Sequence, residues 1–104
     1  MPTLIVLFNL KADKSPADYE AWARSVDLPT VNGLPSVERF KVYRSQSVLG
    51  SSAAAPYQYT EILSVADMSA LFADIATAPM QKVAAEFQAF ADNPVFVVSE
   101  DIEA

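Results

Sequence analysis

Large apolar and β-branched side chains fill Thr3-Leu-Ile-Val-Leu-Phe-Asn-Leu10, with Asn9 the one strongly polar side chain in its interior. A run this short and apolar on both faces predicts a central β-strand. After Lys11-Ala-Asp-Lys14, Ser15 followed by Pro16 has the form of a helix N-cap with proline at the first helical position, and Asp18 suits the positive end. A helix is predicted to run to about Val26, with Tyr19, Trp22, Ala23 and Val26 as its apolar stripe. Asp27-Leu-Pro-Thr-Val-Asn-Gly-Leu-Pro-Ser36 carries two prolines and an Asn-Gly pair, which predicts an irregular loop.

Alternation returns from Val37 to about Ser47, with Phe40 and Val42 on one face and Arg39, Lys41 and Tyr43 on the other. Gly50-Ser-Ser-Ala-Ala-Ala-Pro56 reads as a flexible connection, with closure over a site left open. A third strand is expected over Tyr57 to Val65, with Tyr57, Tyr59, Glu61 and Leu63 sharing a face. Asp67 can cap a helix to about Ala76. Thr77-Ala-Pro79 interrupts and restarts it, and Met80, Val83, Ala84, Phe87 and Phe90 form the second buried stripe, ahead of a stop at Asp92-Asn-Pro94. Val95-Phe-Val-Val98 is the last strand, followed by an acidic tail over residues 100–104.

The order β-α-β, β-α-β over residues 1–104 predicts a single α+β domain of ferredoxin-like βαββαβ topology, an antiparallel sheet with its helices on one face. The uncovered face would carry Ile5, Leu7, Val95 and Val97. That is too apolar to remain in water, and a second copy is the simplest cover, so a homodimer is expected.

Composition narrows the chemistry. The 104 residues include no cysteine and no histidine, which removes disulfides, thiolate nucleophiles, Ser-His triads and the common zinc and haem sites. Neither a cofactor nor a metal is expected, since Asp101 and Glu103 on a terminal tail cannot preorganise ligands. Thirteen acidic against seven basic residues leave a net charge of −6, which disfavours nucleic acid. The longest apolar stretch is too short for a membrane span, so a cytoplasmic protein without a membrane partner is expected.

The runs Leu7-Phe-Asn-Leu-Lys11, Asp27-Leu-Pro-Thr-Val31, Ser36-Val37 with Phe40-Lys-Val-Tyr43, Pro56-Tyr-Gln-Tyr59, and Met80-Gln-Lys-Val-Ala84 leading into Phe90-Ala-Asp-Asn-Pro94 together resemble the REDY-like HapK family. This resemblance spans nearly the whole chain. It implies the dimeric α-β barrel superfamily and a place in prodigiosin-type pigment biosynthesis. It carries no established catalytic motif.

The candidate ligand-binding residues are Asn9, Arg39, Lys41, Tyr43, Tyr57, Tyr59 and Glu61, expected to project from the open face and to hold a small aromatic or heteroaromatic ligand. Strand parity would bring Asn9, Tyr43 and Tyr59 into one cavity there. The alternative is that Arg39, Lys41 and Glu61 form cross-strand ion pairs and the tyrosines pack at an interface. Glu61 among apolar side chains could accept a proton, or beside Arg39 or Lys41 stay ionised and structural. Asn9 either binds a ligand or bonds a neighbouring loop. Trp22 is read as core and Asp27 as an organiser of its loop. Three functions follow: a small-molecule-binding protein of secondary metabolism, a cofactor-independent monooxygenase or cyclase acting on an aromatic substrate, and a structural dimer without a ligand.

Overall fold

The computed structural model describes residues 2–103. Strand β1 (Pro2–Leu10) leads into helix α1 (Pro16–Trp22), a π-helical turn (Ala23–Asp27) and helix α2 (Leu28–Asn32). Strands β2 (Val37–Arg44) and β3 (Tyr59–Val65) follow, then helices α3 (Met68–Ile75) and α4 (Ala78–Phe90) and strand β4 (Ala91–Glu100). The sheet is antiparallel in the order β2-β3-β1-β4, the ferredoxin-like arrangement. Among the described residues no helix is long and apolar enough to cross a membrane.

Local chemistry sets the helix starts. The Ser15 hydroxyl accepts from the Asp18 N–H at 3.1 Å, and the Asp67 carboxylate accepts from the Ala70 N–H at 2.8 Å. The expected loop over residues 27–36 is a correction: helical structure continues to Asn32. Pro29 sits in the first turn of α2, where its missing N–H leaves nothing unpaired. The chain reaches α2 through the π turn, in which the Leu28 N–H bonds back to the Ala23 carbonyl, five residues earlier. The loop proper begins at Gly33.

The end of α4 also differs from expectation. The helix stops at Phe90, and Asp92, Asn93 and Pro94 lie inside β4. The β1–β4 register shifts between Leu7 and Asn9, and Asn93 takes a φ of 46° beside this irregularity. Asparagine tolerates that left-handed conformation better than most residues.

All helices pack on one sheet face. One cluster joins Val6, Phe8 and Leu10 of β1 to Tyr19, Ala23, Tyr59, Phe87 and Ala91. A second joins Val31, Phe40, Leu63, Val65, Leu71, Met80 and Val83. Trp22 packs against both, with ring centroids 6.0 Å from Tyr19 and 5.5 Å from Phe90. Trp22→Ala should therefore destabilise the chain by about 3 kcal/mol, the low end for a buried aromatic because the ring is only partly buried. Urea denaturation checks this, and an unchanged midpoint would remove Trp22 from the core.

The opposite face carries Ile5 and Leu7 beside their β4 partners Val97 and Val95, and Ile62 beside Ile5. Ile62, Val95 and Val97 are exposed at 36%, 41% and 39%. Among the described residues no helix covers them.

Candidate functional site

Antiparallel partners project to the same side of a sheet, so register assigns each candidate a face. Arg39 pairs with Ser64, Lys41 with Ile62 and Tyr43 with Thr60. These side chains stand on the open face as expected, around a depression of about 170 Å³. Glu61 pairs with Val6 and Val42, and Tyr59 with Phe8 and Arg44. Both therefore point under the helices, which corrects the expected open-face site. Asn9 and Tyr59 lie on opposite faces, so Asn9, Tyr43 and Tyr59 do not share a cavity. The physical reason is that Tyr59, Leu63 and Val65 form a more apolar row than Thr60, Ile62 and Ser64. The more apolar row is the one buried against the helices.

Tyr57 lies ahead of β3, half-buried in a groove with Pro16, Gln46 and Ala55. Asn9 ties down the neighbouring loop: its side-chain N–H donates to the Pro56 carbonyl at 3.3 Å, and its oxygen accepts from the Gln58 N–H at 2.9 Å. Gln58 answers by accepting from the Leu10 N–H at 2.6 Å. The alternative pairing of Glu61 with Arg39 or Lys41 does not form, because the sheet stands between them.

The carboxylate that does engage cations is Glu20, bound chiefly by Arg44. Arg44 donates to both Glu20 oxygens at 2.8 and 2.6 Å, and Arg24 reaches the same group at 3.4 Å. The Tyr59 hydroxyl donates to Glu20 Oε2 at 2.7 Å. Hydrogen bonds from Arg44 and then Tyr59 hold the Glu20 carboxyl down at about 2. Burial first, and then its bond to Glu20, pushes the Tyr59 phenol up to about 12. This group pins α1 to the β2–β3 hairpin.

Between helices and sheet lies a cavity of about 190 Å³. Its wall is almost entirely carbon, from residues including Leu63, Leu71, Met80, Val83 and Phe87, and its two ionisable members are Asp27 and Glu61. Phe96 and Gln88, both exposed, also line it and mark its mouth. Asp27 and Glu61 are only 4% and 6% exposed.

Glu61 enters this wall as the one acid in the buried row of β3. The Tyr19 hydroxyl donates to its Oε2 at 3.1 Å. Burial first, and then the Asp27 carboxyl, lifts Glu61 to about 8, against the lowering effect of the Tyr19 bond. Asp27 ends the π turn, and its Oδ2 is buried without any hydrogen-bond partner. Burial pushes its carboxyl up to about 7. Burial, then Glu61 and Asp27, drives the Tyr19 phenol well above its ordinary value, so it stays a donor to Glu61. Two carboxyls that change charge near neutrality, held in an apolar hollow, can exchange protons with a bound molecule.

Asp27 is the functional candidate that sequence reasoning placed in a loop. The signal was the spacing Tyr19, Ala23, Asp27, Val31, four residues apart and all buried. A carboxyl in the middle of an apolar helical stripe is a buried acid.

The family model for REDY-like protein HapK matches residues 2–102. The chain belongs to the REDY-like HapK family. Similar solved structures include HapK from Hahella chejuensis, 29% identical with a TM-score of 0.80, covering 100% of this chain and 95% of that one. SnoaB, a cofactor-independent oxygenase from Streptomyces nogalater, is 14% identical with a TM-score of 0.78, covering 99% and 94%. A dimeric ferredoxin-like protein of unknown function from Jannaschia sp. CCS1 is 17% identical with a TM-score of 0.74, covering 96% and 98%. At those identities the last two share the fold. No curated protein matches the chain.

Proposed function

We propose that this HapK-family chain binds a mostly apolar small molecule between its helices and sheet, and that Glu61, backed by Asp27 and Tyr19, exchanges a proton with it. The observation that carries this reading is the pair of buried acids in a carbon-lined cavity, one of them with an unpartnered oxygen. Burying carboxyls without a cation costs several kcal/mol, and apolar residues of similar volume would pack there more favourably. Packing gives no reason for the pair, whereas proton chemistry does. A purely structural dimer leaves it unexplained.

The pathway is secondary metabolism of the prodigiosin-like pigment kind, on the strength of the family resemblance. A cavity of about 190 Å³ is small for a three-ring pigment, so a precursor or fragment is the occupant. The second reading, a cofactor-independent oxygenase or cyclase, is favoured by the likeness of fold to SnoaB. It would use the same first step, removal of a proton from an aromatic substrate by Glu61.

The open face is assigned to a second copy. Its Ile5, Leu7, Ile62, Val95 and Val97 make one apolar surface, and a dimeric protein of the same fold supports that cover. The functional reading is tested by native mass spectrometry of protein purified from its own host. A retained small molecule should be lost in Val83→Phe, which fills the helix-side cavity, and kept in Tyr43→Ala on the open face. The reverse pattern would move the site to the open face.

A further inference from the structure

Charge balance in the cavity narrows what it accepts. The seven cationic side chains of the sequence are Lys11, Lys14, Arg24, Arg39, Lys41, Arg44 and Lys82, and none of them lines the wall. Arg24 and Arg44 are committed to Glu20, Lys14 lies over the Phe90 ring at 5.8 Å, and Arg39 and Lys41 stand beyond the sheet. The titratable groups that face Asp27 are Tyr19 from α1 and Glu61 from β3. What α3, α4 and β4 add to the wall is carbon and the neutral Gln88. The pair therefore has acceptor oxygens, among them the unpartnered Asp27 Oδ2, and no counter-ion among the described residues. An anionic ligand would add a further negative charge at low dielectric. A neutral one would leave the pair uncompensated whenever it ionises. An ammonium brings the missing positive charge together with two or three N–H donors for the two carboxyls.

Resting on the helix-side cavity as the binding site, we infer that its ligand class is a small aromatic amine-bearing compound, held as the protonated amine between Asp27 and Glu61. Size limits it further. An apolar cavity of about 150 Å³ is enough to hold benzene, so the 190 Å³ here accommodates one ring with a short side chain. The ring would lie against Leu63, Val83 and Phe87, with the ammonium toward the π turn.

The test uses three probes of nearly one shape on the full-length protein: 2-phenylethylamine, 2-phenylethanol and 3-phenylpropionate, followed by calorimetry and by methyl NMR. The amine should bind at least about tenfold more tightly than the alcohol, and the carboxylate should not bind. Glu61→Gln and Asp27→Asn should each weaken the amine by about tenfold while leaving the alcohol unchanged. Affinity for the amine should rise from about pH 6 to about pH 8 as the pair ionises, and that for the alcohol should not. Shifts should concentrate on the methyls of Leu63 and Val83, which excludes loose association with the acidic surface. If alcohol and amine bind equally, the amine assignment is overturned and the cavity survives as a site. If the amine shifts only surface methyls, or neither probe binds, the assignment and the cavity reading fall together.

Discussion

The folded chain should lose stability as the pH is raised from about 5 to about 9, and Glu61→Gln should remove much of that loss. Asp27 and Glu61 are acids whose folded values, about 7 and about 8, lie above the ordinary 3.8 and 4.5. Between the two ranges the unfolded chain binds fewer protons than the folded one. Stability is therefore fully present below about pH 4 to 5 as far as these groups are concerned, and falls as the pH passes through the folded values. Each group alone is worth on the order of 4 kcal/mol, a large fraction of a typical domain's 5–15 kcal/mol. Because the Asp27 charge raises Glu61, the two losses do not simply add. Glu61→Gln keeps an acceptor for the Tyr19 hydroxyl but cannot ionise. It should match the parent near pH 5 and exceed it by a few kcal/mol at pH 9 in urea denaturation. A parent whose stability is flat across this range, or a variant less stable at pH 9, would remove the strained acid pair from the account.

The second large effect concerns the open face. Ile5 and Val97 are register partners in the apolar part of the uncovered sheet. Ile5→Lys or Val97→Lys would bury an unpaired ammonium in the proposed dimer, at a cost of about 3–5 kcal/mol per subunit. Sedimentation velocity at micromolar concentration should then show a dimer for the parent and a monomer for either variant, with the helix-side core unchanged by circular dichroism. A monomeric parent, or variants that dimerise as well as the parent, would leave this face without its proposed cover.

Much of the fold was legible in the sequence because its signals are local. Thr3 to Leu10 reads as a strand from composition alone, and Ser15-Pro16 and Asp67 act as caps where expected. What went unread depends on context. Leu28-Pro29 and Asn32-Gly33 look like breakers, but a proline in a helix's first turn is harmless, and the π turn absorbs the offset. The grouping of Tyr57, Tyr59, Glu61 and Leu63 was sound over β3, yet the acid and the tyrosines made that row look like the wet face. A buried carboxylate is unfavourable enough that sequence reasoning puts it outside. Its presence inside is the departure from local consistency on which the proposed site rests. Of the seven expected site residues, Glu61 reaches the candidate site, and its partner Asp27 was hidden by the misread helix end.

The central claim is that two carboxyls in the helix-side cavity change charge near neutral pH. A titration of the side-chain carboxyl carbons by NMR, on protein labelled at aspartate and glutamate, tests it most directly. Two resonances should move with midpoints near 7 and near 8, one lost in Asp27→Asn and the other in Glu61→Gln. If every carboxyl instead titrates in the ordinary range near about 4, the cavity holds no proton-exchanging pair and the account is contradicted.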